Sequence, residues 1–304
     1  NHLREVIASI DTRVVGPNCL GVLNPYKGVA IYPKWENYEG HISYISQSGG
    51  TMARLYMYLG TIGVGFHNVV SIGNAYDVTI SELLEHFEGD EKTKTIGLYL
   101  ESIPNGRKFF NLTQRISKEK PIVLFKGGQT DVGQEATFSH TGGMAGSYKV
   151  WTAMAKQNGI MVADHFELFA DMVQAATVQT QIPENLNVAI LAAGGGIGVE
   201  FTDNFTKAGL NVVELSQETQ EQLAKHFPPV NTNFKNPIDL GEYGNVPSLF
   251  AKAMKIVLKD PKIGSVVFVR EPERFPILSA NLGIKDPAGL TVKSLRRVLK
   301  RTDK

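Results

Sequence analysis

The chain has 304 residues, with 31 basic and 30 acidic residues and a formal net charge of +1. This length favours about two domains. Because basic and acidic residues are almost equal in number, the chain has no overall electrostatic field that would hold nucleic acid or an anionic membrane. The one cysteine, Cys19, excludes an internal disulfide and a cysteine-rich metal site. With no signal peptide and no run of about 20 apolar residues, the sequence predicts a cytoplasmic protein, and the opening Asn1 without an initiator methionine indicates a partial polypeptide.

The first half of the chain alternates apolar, β-rich runs with helical patterns. These patterns predict buried strands at 42–45, 68–72, 96–100, 122–125 and 159–162, and helices at 52–59, 80–87, 107–117, 150–157 and 166–176. Strands that alternate with helices typically form a parallel sheet covered by helices. We therefore predict a doubly wound α/β domain.

A second unit of the same kind is predicted after a polar break. Residues 179–185 are polar and include a proline that a continuing helix would reject. Beyond the break, the patterns predict strands at 188–192, 212–215 and 265–269, helices at 198–208, 217–227, 248–258 and 292–300, and a long loop at 231–239. After Arg270 the pattern fades.

Two glycine-rich turns follow predicted strands. Ser48, Gly49 and Gly50 follow the strand at 42–45, and Gly195, Gly196 and Ile197 follow the strand at 188–192. Backbone N–H groups at the start of a helix bind anions, and Ser48 can also cap its helix. For each turn alone, a tight turn that needs a left-handed glycine is an equally good explanation. Together, the two turns predict a phosphate that is held and passed on.

The second turn also resembles part of a dinucleotide-binding fingerprint. Gly194 and Gly196 match its first two glycines, and Glu214 lies about 20 residues further on, where an acid would bind ribose. The third glycine position is Val199. A valine there prevents the close helix packing of the fingerprint, so an NAD-binding oxidoreductase is the weaker alternative.

His140 is a candidate nucleophile. It lies in a segment rich in Gly, Ser and Thr, ATFSHTGGMAG at 136–146, which we predict to be a long loop between a strand and a helix. A neutral imidazole is nucleophilic at cytosolic pH, and a loop leaves it free to reach an electrophile. A lone loop histidine is more often an ordinary surface residue. The remaining motifs decide between these interpretations.

Six motifs together carry a family resemblance. In chain order they are SQSGG at 46–50, SIGNAYD at 71–77, LYLESIPNGR at 98–107, KGGQT at 126–130, SHTG at 139–142 and NPID at 236–239. Over about residues 5–245 the chain resembles the ligase core of the NDP-forming acyl-CoA synthetases, the superfamily of succinyl-CoA synthetase and ADP-forming acetyl-CoA synthetase. The resemblance implies two doubly wound, flavodoxin-like domains with parallel sheets.

The resemblance also implies roles for the motif residues. In that family a loop histidine becomes phosphorylated, and the matching residue is His140. Glu101, at the end of the predicted strand 96–100, matches the glutamate that takes the N–H of the other ring nitrogen. A solvated carboxylate at a strand end is the alternative for Glu101. The two glycine turns, 48–50 and 195–197, match opposed helix N-termini that hold the phosphoryl group.

Three further residues are candidates for an acyl or CoA loop: Asn74, Asp77 and Asn18. A helix cap by Asp77 explains that residue equally well. Lys126 and Thr130 lie at the base of the histidine segment, where they would orient it or act only as a hinge. The NPID motif at 236–239 would support the second phosphate turn or form an ordinary turn.

The implied reaction interconverts carboxylic acid, CoA and ATP with acyl-CoA, ADP and phosphate, by way of an acyl phosphate and phospho-His140. No ATP-grasp motif is visible, so the resemblance implies that ATP or ADP and its Mg²⁺ bind to a partner subunit or to a missing part of the polypeptide, in an oligomer. No tightly bound metal is expected in this chain. The alternative is a non-catalytic sensor of acyl-CoA or nucleotide, which would need neither His140 nor Glu101.

The domain boundaries follow from the same motifs. Residues 13–25, RVVGPNCLGVLNP, resemble the closing strand and turn of the family's CoA-binding domain. We predict that residues 1–38 are the end of a mostly absent CoA-binding Rossmann domain, that 39–182 form the ligase domain with the phosphohistidine loop, and that 183–304 form a second, ligase-CoA domain. In the family, acetate, a short hydroxy acid, succinate and aryl acids share this core, and the site that would select an adenine or a guanine nucleotide lies outside these motifs.

Overall fold

The computed structural model describes residues 2–30, 35–141, 146–178, 183–271, 273 and 275–300, apart from the side chains at 138–141, 278 and 282. The chain divides into two compact units, Asn1–Thr180 and Gln181–Lys304. Each unit contains its own sheet. Of the polar break predicted at 179–185, residues 179–182 lie outside the described part.

A six-stranded sheet lies at the centre of the first unit. Its strands are β1 (Gly21–Leu23), β2 (Glu39–Ser46), β3 (Phe66–Ser71), β4 (Thr95–Leu100), β5 (Ile122–Lys126) and β6 (Met161–Ala163). Their spatial order is β1-β3-β2-β4-β5-β6, in which β1 runs antiparallel to β3 and the other neighbours are parallel. The five parallel strands therefore follow the 2-1-3-4-5 order of flavodoxin-like folds.

Helices cover both faces of this sheet. The helices of this unit are α1 (His2–Ser9), α2 (Gly49–Thr61), α3 (Ile80–Gly89), α4 (Gly106–Ile116), α5 (Asp131–Thr141), α6 (Tyr148–Gln157) and α7 (Phe166–Val178). Tyr44 packs in one core cluster with residues of α2 and α7, while the next residue, Ile45, packs in another with residues of α3 and α4. Because both faces are buried, strands such as β4 and β5 are mostly apolar, which made them recognisable in the sequence. The predicted α/β class with parallel sheets is confirmed.

The segment before the histidine motif differs from the prediction. Residues 131–141 form the helix α5, so the loop predicted for 136–146 is wrong over 136–141. The Thr130 hydroxyl oxygen accepts a hydrogen bond from Gly133 N at 3.1 Å and thereby caps the helix start. The backbone of His140 belongs to the last turn of α5, and residues 142–145 lie outside the described part.

The second unit is built on a three-stranded parallel sheet. Its strands are β7 (Val188–Ala192), β8 (Ile238–Asp239) and β9 (Ser265–Phe268), in the order β8-β7-β9. Its helices are α8 (Gly195–Lys207), α9 (Gln217–Ala224), α10 (Pro247–Val257), α11 (Phe275–Leu282) and α12 (Pro287–Leu299). All five residues of β7 are buried, as expected of a central strand.

The strand predicted at 212–215 does not form, and an asparagine side chain explains why. Asn211 makes a single parallel bridge to Asn187, the residue before β7. Beyond it, Asn236 Oδ1 accepts from Ile190 N at 2.9 Å, and Asn236 Nδ2 donates to Val188 O at 2.7 Å and to Val213 O at 2.8 Å. This amide thus occupies the place where backbone groups of a neighbouring strand would pair with β7. The predicted loop at 231–239 accordingly includes the short strand β8, which pairs with the end of β7.

Candidate functional site

Glu101 follows directly after β4, at the carboxyl edge of the first sheet. Strands β2 and β4 are neighbours there, and the chain leaves them for helices on opposite faces, which is where ligands bind in doubly wound sheets. Gln47, which follows β2, joins the two strand ends. Its Oε1 accepts from Glu101 N at 2.5 Å and from Ser102 N at 3.0 Å. The end of each strand is therefore held in a fixed position relative to the other.

The Glu101 side chain is buried, with 5% of its surface exposed. Its Oε1 accepts a hydrogen bond from the Tyr99 hydroxyl at 3.3 Å, whereas its Oε2 is buried and has no partner among the described residues. Burial, together with Glu101, raises the pKa of Tyr99 to about 12, so the tyrosine stays a hydrogen-bond donor. The prediction placed Glu101 correctly at a strand end, but the alternative of a solvated carboxylate does not agree with this burial.

Gly127 provides the space in which this carboxylate lies. A Cβ atom at this position would be 2.7 Å from the Tyr99 hydroxyl oxygen and 3.2 Å from Glu101 Cγ. Gly127 N donates to Leu100 O at 2.9 Å, so the backbone is fixed against β4. Only a residue without a side chain leaves both neighbours in place.

Lys126, the last residue of β5, is completely buried. Its Nζ donates to Gly127 O and lies 5.2 Å from the centre of the Trp151 ring. Burial lowers the pKa of Lys126 to about 8, although the nearby Glu101 opposes this shift. The sequence suggested that Lys126 orients the histidine segment or acts as a hinge, and gave no indication that it lies beside Glu101.

The first glycine turn forms the start of α2. Ser48 is the N-cap, and its Oγ accepts from Thr51 N at 3.2 Å. Thr51 Oγ1 donates to the same Ser48 oxygen and also interacts with the Tyr99 hydroxyl, which connects this turn to Glu101. A Cβ at Gly49 would meet Leu20, 2.6 Å from its Cγ, whereas at Gly50 the nearest atom would be Ser48 Oγ at 3.9 Å. Neither glycine has a positive φ, so they are not explained as left-handed turn residues.

The second glycine turn, in the other unit, begins α8. Gly194 is the N-cap and offers no side-chain cap, so the first N–H groups of α8 are not satisfied in that way. A Cβ at Gly195 would lie 3.0 Å from Asp239 Oδ2, while one at Gly196 would meet nothing within 4 Å. Ile197 is partly buried and packs against β7 residues. That the starts of α2 and α8 face one phosphate stays a prediction.

The candidates for an acyl or CoA loop lie against the N-terminal segment. Asn74 N donates to Pro17 O at 3.0 Å, and Asn18, which has a φ of 58°, follows Pro17. Asn74 Oδ1 is buried without a hydrogen-bond partner in the described structure. Their predicted role in binding stays a prediction.

Asp77 has a clear structural contact. Its carboxylate accepts from Val14 N at 2.6 Å and from Arg13 Nε at 3.1 Å, and the Arg13 guanidinium holds the pKa of Asp77 below its usual range. The helix cap suggested for Asp77 is wrong, because Thr79 caps α3 and forms a capping box with Glu82.

His140 is the predicted nucleophile, and its side chain lies outside the described part of the structure. Gly142 and Gly143 of the same motif also lie outside the described part. Within the described ranges, no group of three or more His, Cys, Asp or Glu side chains is placed to hold a metal ion. None of the described helices is long and apolar enough to cross a membrane. Sequence reasoning assigned no role to Tyr99 or Gly127, although both lie within the motifs, at 98–107 and 126–130.

Comparisons with known proteins match both units. Residues 39–176 match a succinyl-CoA ligase like flavodoxin domain, and residues 188–272 match a ligase-CoA domain. The chain is 32% identical over 268 residues to the alpha subunit of ADP-forming acetate–CoA ligase II of Pyrococcus furiosus, covering 88% of this chain and 58% of that subunit. It is 35% identical over 241 residues to the ADP-forming acetate–CoA ligase of Methanocaldococcus jannaschii, covering 79% of this chain and 34% of that enzyme.

A solved structure is similar over almost the whole chain. It is the dinucleotide-forming acetyl-coenzyme A synthetase 1 of Candidatus Korarchaeum cryptofilum, in complex with phosphate and ADP. The TM-score is 0.84 at 31% identity, and the match covers 99% of this chain and 62% of that one. The chain thus spans less than two thirds of each of these relatives. On the two domain matches, the order of the motifs and the strand order of the first sheet, the chain belongs to the NDP-forming acyl-CoA synthetase superfamily.

Proposed function

We propose that this chain is the catalytic core of an acyl-CoA synthetase that forms ADP or GDP. The reaction interconverts a carboxylic acid, CoA and ATP with acyl-CoA, ADP and phosphate. The observation that carries this proposal is the buried carboxylate of Glu101, whose Oε2 has no partner among the described residues. A buried carboxylate that lacks a partner is costly, and an imidazole N–H would satisfy it.

The chemical steps follow from the role of His140. In the direction of ATP formation, phosphate attacks the thioester of acyl-CoA, which releases CoA and gives an acyl phosphate. A ring nitrogen of His140 then attacks the phosphorus atom, so that an N–P bond forms and the bond to the acyl oxygen breaks, releasing the carboxylate. Glu101 accepts the N–H of the other ring nitrogen and stabilises the positive charge on the phosphorylated ring. ADP finally takes the phosphoryl group from His140.

The helix starts supply the anion-binding groups of this scheme. Free N–H groups at Gly49 and Gly50 in α2, and at Gly195 and Gly196 in α8, would hold phosphoryl oxygens without any ionisable side chain. The exposed Gly196 permits a direct test, because a Cβ there meets no protein atom. Gly196→Ala is expected to leave folding unchanged and to weaken phosphate binding by the complete enzyme.

The other components would come from outside this chain. ATP or ADP and its Mg²⁺ would bind to an ATP-grasp module, either in a partner subunit or elsewhere in the same polypeptide, and the assembly would be an oligomer in the cytoplasm. The related Pyrococcus furiosus protein is an alpha subunit, which supports a division of this kind. We propose residues 1–38 as the end of a CoA-binding domain, 39–182 as the ligase domain and 183–304 as the second ligase domain. Asn18, Asn74 and Asp77 would then line the acyl or CoA side.

A phosphoenzyme assay tests the proposal. The complete enzyme, incubated with radiolabelled inorganic phosphate and acyl-CoA, is expected to acquire label that is labile in acid and stable in base, located on the peptide that contains His140. His140→Ala should lose the label and ATP formation while keeping the same thermal unfolding. His86→Ala is the matched control, since His86 is exposed in the last turn of α3.

Two results would contradict the proposal. One is ATP formation at a near wild-type rate by His140→Ala, and the other is a complete enzyme that binds acyl-CoA without ever acquiring base-stable label. The second result would favour a sensor. Reduction of NAD by the enzyme would favour the oxidoreductase.

A further inference from the structure

The orientation of the Glu101 carboxylate depends on one hydrogen bond. The backbone of Glu101 is fixed by Gln47, whose Oε1 accepts from Glu101 N at 2.5 Å. The last torsion of a glutamate side chain, which turns the carboxylate, is broad and is not set by the backbone. Among the described residues, the carboxylate accepts from the Tyr99 hydroxyl, 3.3 Å from Oε1, and Oε2 has no partner. Tyr99 therefore determines which way the second oxygen faces.

Tyr99 is itself held firmly in the sheet. It lies on β4 between Ser46 of β2 and Phe125 of β5 and is paired in register with both. Its carbonyl oxygen accepts from Gln47 N at 3.0 Å, and its ring packs edge-on against the Phe125 ring, with the ring centres 5.4 Å apart. The hydroxyl is therefore a donor at a fixed point in the structure.

Gly127 keeps Tyr99 and Glu101 close together. The position that a Gly127 Cβ would take is 2.7 Å from the Tyr99 hydroxyl oxygen and 3.2 Å from Glu101 Cγ, so both side chains lie against this residue. Tyr99 and Glu101 are two positions apart, and side chains at this spacing in an extended chain point to the same side. Loss of the hydroxyl would thus act directly on the carboxylate.

We propose that Tyr99 is a positioning residue whose hydroxyl holds Oε1 of Glu101, so that Oε2 is presented to the ring N–H of the histidine that carries the phosphoryl group. The inference rests on the proposed function for the identity of that histidine. Without the hydroxyl, the carboxylate would be free to turn about its last torsion. It would then meet the imidazole in the productive geometry for only part of the time.

Tyr99→Phe removes the hydroxyl and keeps the ring that packs against Phe125. In the complete enzyme we expect kcat and the single-turnover rate of His140 phosphorylation to fall by about 10- to 100-fold, the range for loss of a hydrogen bond to a charged group. KM for acyl-CoA should stay unchanged, because Tyr99 would not touch that substrate. Tyr58→Phe is the matched control, since Tyr58 is exposed on α2 in the same unit, and it should match the wild type.

A double-substitution cycle separates positioning from support of the fold. In Glu101→Ala there is no carboxylate to orient, so adding Tyr99→Phe should change the residual rate by no more than about twofold. A purely structural role would lower the rate by the same factor in both backgrounds. Equal factors would overturn the proposal, as would a wild-type rate in Tyr99→Phe alone.

A crystal structure of the complete Tyr99→Phe enzyme tests the contact without turnover. The Glu101 carboxylate should be rotated or occupy two orientations, whereas in the wild type it should have one, with Oε1 on the Tyr99 hydroxyl. An unchanged carboxylate would refute the positioning role even if phosphohistidine forms. If the carboxylate turns but the wild-type enzyme forms no phosphohistidine, the proposed function fails, and with it the assignment of the histidine, while the positioning of Glu101 by Tyr99 stands.

Discussion

Replacing Asn236 by alanine should destabilise the second unit strongly. The Asn236 amide makes three hydrogen bonds, with Ile190 N, Val188 O and Val213 O, at 2.7–2.9 Å. At about 1 kcal/mol for each bond, their loss lowers the free energy of unfolding by about 3 kcal/mol. A backbone group left unpaired away from water costs about 1–3 kcal/mol, so the loss for the three groups should reach about 3–9 kcal/mol where water does not enter.

Urea unfolding followed by circular dichroism measures this loss, and amide hydrogen exchange at Ile190 locates it. Asn236→Asp is a sharper second variant, since it retains an acceptor for Ile190 N but places a carboxylate oxygen against two carbonyls. It should be at least as unstable as the alanine variant. Asn204→Ala, at an exposed position of α8, is the control and should change stability by no more than about 0.5 kcal/mol. A loss below about 1 kcal/mol in Asn236→Ala would refute the reasoning.

Three further predictions concern the first unit. Glu101→Gln should lower turnover by about 10²-fold and shorten the lifetime of the phosphoenzyme in a chase assay, because an amide stabilises an imidazolium poorly; unchanged kinetics would contradict this. Gly127→Ala should reduce turnover and cost about 1–3 kcal/mol in urea unfolding, since its Cβ meets the Tyr99 hydroxyl, whereas Gly89→Ala, with no atom within 4 Å, should cost neither. Arg13→Ala should destabilise at pH 7. Arg13 pairs with both Asp77 and Glu82, and the folded-state pKa values of these two groups are lowered from 3.8 and 4.5. The difference should therefore be complete above pH 4.5 and vanish as the pH falls through the lower folded values; a constant difference in melting temperature down to acid pH would argue against these ion pairs.

Much of the first unit could be predicted because burial determines its sequence. Strands such as β4 and β5 are covered on both faces, so most of their residues are apolar and the run is recognisable without any knowledge of its neighbours. The same reasoning predicted a strand at 212–215, and that prediction was wrong. The residue that takes the hydrogen bonds there, Asn236, lies more than 20 positions further along the chain, and no local pattern indicates that.

The histidine segment shows a second limit of sequence patterns. Gly, Ser and Thr around His140 favoured a loop, yet residues 131–141 are helical. The helix begins because Thr130 caps it, and it contains one glycine, Gly133, within its first turn. Composition averaged over a long window conceals a single capping residue. Lys126 and Glu101 were both visible as strand ends, but their proximity depends on the order of the strands in space.

That spatial order explains how a carboxylate can be buried at the edge of a sheet. Strands β2 and β4 are adjacent where the order reverses, so the segments after them diverge and leave a crevice. Gln47 closes the bottom of this crevice, because its Oε1 binds two successive N–H groups, those of Glu101 and Ser102, which would otherwise need water. The same residue precedes Ser48, the cap of α2. The position of Glu101 and the start of α2 are therefore held by neighbouring residues of one segment, and a shift of either strand end would displace Glu101 and the α2 N-terminus together.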